Sequence, residues 1–186
     1  MRASVARDYL LRVPTRLLLE ARPGAGKTTA FSRLAELLRE SGVDVAGFTT
    51  EELRESGRRV GFMVESVDGA QETLAHVELP GPPRVGRYGV DLEAFERVAL
   101  PALDAPPGAV VLIDEIGKME LASQRFRSSV EQLFDGPNAL AATLQVARNP
   151  FTAALKRRPD VELIRLTAAN RNELPKQLVD RLTSGG

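Results

Sequence analysis

The chain has 186 residues, and its 25 lysines and arginines balance 25 aspartates and glutamates, so the formal net charge at pH 7 is zero. This length is typical of one domain, and the zero net charge argues against nucleic acid or an anionic membrane surface as the partner. With no cysteine and one histidine, His76, the chain offers neither disulfides nor a thiolate or multi-histidine metal site. Residues 1–12 lack the apolar run of a secretory signal and no segment predicts a membrane span, so a cytoplasmic location is expected.

The most specific local pattern is an apolar strand at residues 17–19 that runs into a loop of small residues ending in Gly26-Lys27-Thr28. Gly24 and Gly26 let successive backbone N–H groups point into one small volume, and the helix that follows adds the partial positive charge of its N-terminus. Lys27 can reach the β- and γ-phosphates of a nucleotide, and the Thr28 hydroxyl can ligate Mg²⁺. The pattern predicts a phosphate-binding loop, although Ala21 stands where glycine is usual. Alanine is tolerated there if its φ stays negative.

After this loop, apolar residues at helical spacing predict a helix over residues 28–39, followed by a strand over residues 43–50. Turn signals at Gly57 and at Asp68-Gly69 then separate short strands. They predict an antiparallel hairpin excursion over residues 45–79 that is attached to the main sheet. The prolines and glycines of residues 80–89 predict a loop.

The second half of the chain alternates helices with strands. Asp91 is the predicted N-cap of a helix, and residues 109–113 form a continuous apolar run that is typical of a strand buried on both faces. Helices are further predicted over residues 123–134, 151–157 and 172–182, and strands over residues 139–144 and 161–166. This alternation predicts an α/β fold of three layers, in which helices cover both faces of a mostly parallel sheet.

The apolar run at residues 109–113 ends in Asp114-Glu115, which places two carboxylates at the carboxyl end of a predicted central strand. Opposite a phosphate-binding loop, Asp114 is expected to hold Mg²⁺, and Glu115 to orient or deprotonate an attacking water. Because such sites form at the carboxyl ends of parallel strands, we expect this strand and the strand before the loop to be neighbours in the sheet. The alternative is that Asp114 and Glu115 only cap the next helix.

Several segments together resemble the small P-loop nucleoside-triphosphatase family that includes the thermophilic-bacterial and cancer-related NTPases. The most specific segment is Asp-Glu-Ile-Gly-Lys-Met-Glu-Leu at residues 114–121, and others lie at residues 47–52, 58–62, 85–88, 90–96 and 170–172. The resemblance implies a RecA-like fold and slow, Mg²⁺-dependent hydrolysis of several nucleoside triphosphates to diphosphate and phosphate. It begins near Leu17, so residues 1–13 are expected to be an N-terminal extension to a single domain over residues 14–186. Ala21 and Thr143-Leu144-Gln145 depart from the family's pattern.

Some basic residues outside the two motifs are weaker catalytic candidates. Arg58 and Arg59, which lie in one of the resembling segments, are the preferred arginine fingers, ahead of Arg54 and Arg87. The alternative for each is a solvated surface arginine. Lys118 either approaches the γ-phosphate or is a surface lysine.

Three further residues are candidates for nucleotide contact. Thr143 either senses phosphate or is a buried strand threonine. Asn170 and Arg171 either lie beside the base, where arginine stacking would tolerate every base, or form a helix cap and a surface arginine.

The predictions combine into one site and one favoured function, Mg²⁺-dependent hydrolysis of ATP, GTP, CTP and UTP. The predicted catalytic residues are Lys27, Glu115, Arg58, Arg59 and Lys118, and the predicted Mg²⁺ ligands are Thr28 and Asp114. The predicted nucleotide-binding residues are Ala21, Arg22, Pro23, Gly24, Ala25, Gly26, Lys27, Thr28, Thr29, Asp114, Glu115, Ile116, Gly117, Thr143, Asn170 and Arg171.

Two alternative functions stay open from the sequence. One is a P-loop kinase that transfers the γ-phosphate to a small molecule or nucleoside bound by residues 45–88. The other is a binding module whose hydrolysis times association with a protein or RNA. Glu115 beside Asp114 favours activation of water over the kinase, and the sequence names no protein partner.

Overall fold

The computed structural model describes residues 14–146 and 149–184, so the predicted extension at residues 1–13 lies outside the described part. The strands are β1 (Arg16–Ala21), β2 (Val45–Glu55), β3 (Arg58–Ser66), β4 (Gln71–His76), β5 (Arg84–Val85), β6 (Tyr88–Val90), β7 (Val110–Ile116), β8 (Leu140–Gln145) and β9 (Val161–Leu166). The helices are α1 (Lys27–Glu40), α2 (Leu92–Leu103), α3 (Gln124–Asp135), α4 (Pro150–Lys156) and α5 (Leu174–Ser184), and a 3-10 turn spans Glu120–Ala122.

The strands form one sheet in the order β5-β6-β4-β3-β2-β7-β8-β1-β9. The five strands from β2 to β9 in this order pair in parallel, and the four strands on the other side of β2 pair antiparallel. The predicted parallel core and antiparallel excursion are therefore confirmed. Because β2 pairs with β7 through residues 45–48 and with β3 through residues 48–55, the excursion extends the main sheet.

Helices cover both faces of the sheet, as the alternation predicts. Successive side chains of a strand point to opposite faces, so Leu18 packs in one apolar core while Leu17 and Leu19 pack in the other. Helices α1 and α5 pack in the core that contains Leu17 and Leu19, and their contributing residues are Phe31, Leu34, Leu38, Leu174, Leu178 and Leu182. The other receives α2 and α3, and there Phe48, Phe95 and Phe126 pack edge to face with ring centres 5.2–5.8 Å apart. None of the described helices has the length and apolar character that a membrane span requires.

Two expectations about the sheet are wrong. The strand before the loop, β1, and the strand with the carboxylates, β7, are not neighbours, because β8 lies between them. Both pair in parallel with β8, so all three strands still end at the same edge, with β1 and β7 roughly 10 Å apart. Residues 80–89 are not all loop either, because β5 and β6 add a short antiparallel pair beside β4. These strands have two and three residues, too few for a sequence periodicity to reveal.

Ser123 fixes the start of α3 and ties it to α2. The Ser123 side chain accepts a hydrogen bond from the Phe126 N–H at 3.0 Å and donates one to Glu96 Oε1 at 2.7 Å. Replacing Ser123 with alanine removes the cap and leaves the buried Phe126 N–H without that acceptor. We expect Ser123→Ala to lower the free energy of unfolding by about 1–2 kcal/mol in urea denaturation.

The matched control is Ser129→Ala, which removes a hydroxyl from the interior of the same helix. We expect it to change the free energy of unfolding by less than ~0.5 kcal/mol, since alanine is a strong helix former. Equal losses in the two variants would contradict the capping role.

Candidate active site

The loop after β1 has the geometry that its sequence predicts. Ala21 is the buried last residue of β1, and Ser56 is the one non-glycine residue with positive φ in the described ranges, so alanine at position 21 is unstrained. Gly24 and Gly26 have φ of 76° and 91°, which favour glycine, and Gly26 is the N-cap of α1. The loop therefore turns tightly into the N-terminus of α1, as an anion-binding loop requires.

Side chains from this loop contact the carboxylates of β7 across the end of β8. Lys27 Nζ forms an ion pair with Glu115 Oε2 at 2.9 Å, and both side chains are largely buried. The Thr28 hydroxyl donates to Asp114 Oδ2 at 2.7 Å and lies 3.3 Å from the Thr50 carbonyl oxygen of β2. The two sequence motifs are thus in direct contact although their strands are not neighbours.

Asp114 is a buried carboxylate held on both oxygens. Its Oδ1 accepts from the Thr143 hydroxyl at 2.5 Å, and its Oδ2 accepts from Thr28. Burial raises the pKa of Asp114 to about 6, and the two hydroxyl donors act in the opposite direction because they stabilise the charged form.

Asp114 and Glu115 lie inside β7. The pairing of β7 with β8 is interrupted between Ile113 and Ile116, and the Asp114–Glu115 peptide bond is cis. They do not cap a helix, so that alternative is wrong.

A third buried carboxylate, Glu120, lies beside this pair. Glu120 Oε2 accepts from the Gly117 N–H at 3.1 Å. A Cβ at Gly117 would lie 2.7 Å from Glu115 Oε1 and 2.8 Å from Glu120 Oε2, so glycine allows both side chains to approach the chain there. Burial raises the pKa of Glu120 to about 8, and the negative charges of Glu115 and Asp114 act in the same direction.

These residues line a cleft of about 720 Å³ at the carboxyl ends of the central strands. Its walls come from the phosphate loop, from the segment after β7, and from the excursion strands. The lining residues are Pro23, Gly24, Gly26, Lys27, Thr28, Thr29, Thr50, Glu51, Glu52, Arg59, Phe62, Val85, Gly86, Tyr88, Asp114, Glu115, Lys118, Met119, Glu120 and Gln145. The structure therefore brings the predicted residues Lys27, Glu115, Arg59 and Lys118 into one cavity.

Arg59 is held at the excursion end of the cleft. Its Nε donates to Tyr88 Oη at 3.1 Å, and a terminal nitrogen donates to Glu52 Oε1 at 2.7 Å. Its guanidinium lies 5.2 Å from the centre of the Phe62 ring, within cation–π range. Arg58, the other arginine candidate, is exposed and is not among the residues that line the cleft.

The weaker candidates outside the cleft have structural contacts of their own. Thr143 is fully buried behind Asp114, and its hydroxyl donates to the Asp114 carboxylate. Asn170 Oδ1 accepts from the Thr167 N–H at 2.8 Å, and its amide nitrogen donates to the Arg165 carbonyl at 2.9 Å. Asn170 therefore shapes the loop after β9. Arg171 is exposed and packs against the phosphate loop, since its Cδ would lie 3.0 Å from a Cβ at Gly26.

Two polar side chains beside Glu115, namely Glu120 and Gln145, are absent from the predicted set. Glu120 is an acidic residue between the apolar residues Met119 and Leu121, within the segment that begins with Asp114-Glu115. That position is the sequence signal that could have marked Glu120 as a site residue. Gln145 ends β8 and donates its amide hydrogen bond to Glu115 Oε1. The sequence marks Gln145 only as part of the departure at residues 143–145, and its contact with Glu115 arises because β8 lies beside β7.

The oxygen donors at the junction of the two motifs fit a magnesium ion. Asp114 Oδ2 and Thr28 Oγ1 are hard oxygen ligands 2.7 Å apart, and Mg²⁺ prefers one or two protein ligands completed by water and phosphate oxygens. Within residues 14–146 and 149–184, no group of three or more acidic, histidine or cysteine side chains is arranged to hold a metal.

Most of the chain, and not only these motifs, matches known proteins. A family model described as NTPase matches residues 16–179. The chain belongs to this NTPase family. The nucleoside-triphosphatase THEP1 of Thermotoga sp. (strain RQ2) is 40% identical over 169 residues, covering 90% of this chain and 95% of that protein. The cancer-related nucleoside-triphosphatase of Homo sapiens is 41% identical over 178 residues, covering 88% and 94%.

Solved structures of family members have the same fold. The crystal structure of THEP1 from the hyperthermophile Aquifex aeolicus has a TM-score of 0.79 and 31% identity, covering 90% of this chain and 99% of that one. The solution structure of a human cancer-related nucleoside triphosphatase also has a TM-score of 0.79, with 40% identity and coverage of 91% and 98%. The P-loop NTPase fold predicted for this family member is therefore confirmed.

The raised pKa of Glu120 predicts a pH-dependent cost to stability. The native state keeps a proton on Glu120 that the unfolded chain releases above the ordinary value of 4.5, so the free energy of unfolding falls as pH rises toward about 8. Glu120→Gln is neutral at every pH and has no such dependence. We expect the stability of Glu120→Gln relative to the unmodified protein to increase from about pH 5 to about pH 8.

Urea denaturation across that pH range measures the effect. The control is Glu131→Gln, which neutralises an exposed glutamate on α3 and should show a difference that changes little with pH. A difference between Glu120→Gln and the unmodified protein that is the same at every pH would contradict the burial of a carboxyl group with a raised pKa.

Proposed function

We propose that this chain hydrolyses nucleoside triphosphates to nucleoside diphosphate and phosphate, with Mg²⁺ as cofactor and with little preference among bases. The observation that carries the proposal is the contact of Lys27 with Glu115 and of Thr28 with Asp114 in one cleft. The names of the curated relatives, which are nucleoside-triphosphatases, support hydrolysis as the reaction. We also propose that residues 14–186 form a single NTPase domain.

The phosphate loop would bind the triphosphate through its backbone. The turn at Gly24 and Gly26 and the N-terminus of α1 give N–H donors and a partial positive charge for the β- and γ-phosphates. Lys27 begins at the same end of α1, so its ammonium group can exchange the carboxylate of Glu115 for phosphate oxygens. That exchange would free one oxygen of Glu115 as the substrate binds.

Thr28 and Asp114 would hold Mg²⁺ beside the β- and γ-phosphates. When bound, the ion would neutralise charge that develops on the phosphate oxygens during transfer. Asp114 is suited to this role because Thr143 fixes its other oxygen. The positive charge of the ion would also favour the ionised form of this buried carboxyl group, whose pKa burial raises to about 6.

Glu115 is the proposed general base. Gln145 donates to its Oε1 and fixes the orientation of the carboxylate, while Oε2 faces Lys27. A water between Glu115 and the γ-phosphate would give its proton to Oε2 as its oxygen bonds to phosphorus, and the electron pair of the breaking bond would go to the β-phosphate. Arg59 and Lys118 line the same cleft and are proposed to stabilise the charge that develops in the transition state.

Few of the named contacts address a base, which is why we propose broad substrate use. Arg171 packs beside Gly26, and stacking on an arginine accepts every base. Strong base selection needs polar groups that go unpaired with the wrong base, and the amide of Asn170 is already bonded to its own loop.

The proposal is tested by measuring phosphate release from ATP, GTP, CTP and UTP, with and without a chelator. We expect specificity constants within about tenfold of one another and loss of activity without Mg²⁺. Lys27→Ala should nearly abolish release, because Lys27 contacts the phosphates, and Lys176→Ala, at an exposed lysine of α5, should not. Unchanged hydrolysis by Lys27→Ala would exclude the proposed phosphate site, and a preference above a thousandfold for one base would exclude broad use.

The roles of the two carboxylates are separated by isosteric amides. Glu115→Gln keeps the shape but cannot take a proton, so we expect it to bind Mg-nucleotide and to hydrolyse it at least ~10²-fold more slowly. Asp114→Asn should weaken nucleotide binding in Mg²⁺ and lower the Mg²⁺ dependence of that binding. Calorimetric titration of a non-hydrolysable ATP analogue, with and without Mg²⁺, distinguishes the two. The same binding defect in both variants would contradict the assignment.

A further inference from the structure

Arg59 is held by contacts that leave one edge of its guanidinium group without a protein partner. Its Nε donates to Tyr88 Oη at 3.1 Å, and its Nη1 donates to Glu52 Oε1 at 2.7 Å. Its Nη2 forms no hydrogen bond with any residue that the structure describes. Because an arginine carries five N–H donors in a rigid planar fork, these two contacts fix the plane while the Nη2 donors stay available.

Two aromatic rings also contact the guanidinium group of Arg59. Its carbon lies 5.2 Å from the centre of the Phe62 ring and 6.0 Å from the centre of the Tyr88 ring. The two rings pack edge to face with their centres 5.3 Å apart, and Tyr88 is buried. We call Glu52, Phe62 and Tyr88 the arginine cradle, and all three line the cleft. Held by these contacts, Arg59 loses rotamer freedom that an unpaired surface arginine keeps.

The neighbouring arginine of β2 has a different arrangement. Arg54 also contacts Glu52, through its Nε at 3.0 Å and through its Nη2 at 2.5 Å, and its Nη1 donates to the Gly57 carbonyl oxygen at 3.1 Å. All three of its side-chain nitrogens are therefore occupied, and Arg54 is not among the residues that line the cleft. Arg54 fixes Glu52 and the turn of the hairpin, whereas Arg59 keeps hydrogen-bond donors available in the cleft.

Strand β2 relates the arginine cradle to the phosphate site. The Thr50 carbonyl oxygen lies 3.3 Å from the Thr28 hydroxyl, so β2 reaches the proposed Mg²⁺ ligand. Glu52 follows two residues later, roughly 7 Å along the strand. Arg59 pairs with Arg54, which is two residues farther still, but its guanidinium group reaches back to Glu52. The side chain of Arg59 therefore extends along the hairpin toward the phosphate site.

The ion pair in the cradle is poorly suited to a purely structural role. The side chains of Glu52 and Arg59 are 37% and 44% exposed, and ion pairs between exposed side chains typically contribute little to the free energy of unfolding. The contacts instead fix where the guanidinium group lies before a substrate binds. Donors that are already in place stabilise charge in a transition state without reorganisation, and that is the arrangement which electrostatic catalysis requires.

We propose that Glu52 and Tyr88 are positioning residues that present Arg59 of the same chain to the γ-phosphate during its transfer. The proposal rests on the proposed function, which places the γ-phosphate beside Lys27 and Thr28. In the transition state the Nη2 donors of Arg59 bind a γ-phosphate oxygen, while Glu52 and Tyr88 keep the guanidinium group in place. Hydrolysis then needs no arginine from a second protein molecule.

Isosteric variants test the cradle in the hydrolysis of ATP by the full chain with Mg²⁺. Tyr88→Phe removes the acceptor for Arg59 Nε but keeps the ring, and Glu52→Gln removes the charge but keeps the length. We expect each to lower kcat at least ~5-fold and to change the KM for ATP less than ~2-fold. Glu55→Gln, at an exposed glutamate of β2 outside the cleft, is the control and should keep the unmodified kcat. An unchanged or raised kcat in either cradle variant would overturn the proposal.

A double-variant cycle shows whether the two residues act through Arg59. Arg59→Ala should lower kcat at least ~10-fold, because it removes the donors that bind the transferred phosphate. Adding Tyr88→Phe or Glu52→Gln to Arg59→Ala should then lower kcat no further, since the group that they position is gone. A general effect of either residue on the fold would lower kcat equally in both backgrounds, and that result would overturn the proposal.

A binding measurement separates failure of this inference from failure of the proposed function. Calorimetry of the full chain with Mg²⁺ compares ADP plus aluminium fluoride, which mimics the phosphoryl group during transfer, with a non-hydrolysable ATP analogue. We expect Tyr88→Phe and Glu52→Gln to weaken binding of the mimic at least ~5-fold and of the analogue less than ~2-fold.

That result would support the cradle even if the unmodified protein released no phosphate from ATP. Unchanged affinity of both variants for the mimic, while the unmodified protein hydrolyses ATP, would overturn the inference and leave the hydrolase proposal standing. Binding of neither nucleotide complex by the unmodified protein would overturn both.

Discussion

The active cleft depends on one buried carboxylate, Asp114, and on the two hydroxyl groups that hold it. Thr28 reaches it from the first turn of α1 and Thr143 from β8, so one helix end and two strands converge on one side chain. A carboxylate in this position is costly to ionise when it is alone, and its two hydrogen bonds offset part of the desolvation. Asp114 Oδ2 and Thr28 Oγ1 are also the hard oxygen donors that suit Mg²⁺, so the contact that joins the motifs is also the proposed metal site.

The insertion of β8 between β1 and β7 determines the width of the cleft. Because β8 lies between them, β1 and β7 are two strand spacings apart. Lys27 and Thr28, which follow β1, span this gap to contact Glu115 and Asp114 on β7. Gln145 at the end of β8 lies in this gap and orients Glu115.

The antiparallel strands lengthen the cleft in the other direction. Because β2 belongs to both parts of the sheet, the carboxyl edge that begins at the phosphate loop continues to Arg59 and Phe62. The arginine proposed to stabilise transition-state charge therefore comes from β3 of the antiparallel excursion. Its bonds to Glu52 and Tyr88 keep it at the excursion end of the cleft in this structure.

The sequence by itself determined the phosphate loop, the carboxylate pair and the α/β alternation, because these depend on glycine conformations, short-range spacing and hydrophobic periodicity. It identified Lys27, Thr28, Asp114 and Glu115 for the same reason. The tertiary structure alone decided the strand order, which of Arg58 and Arg59 lines the cleft, and the arrival of Gln145 at Glu115. Strand order and side-chain contacts over 25 or more residues arise from packing of distant segments, and no local pattern in one chain records them.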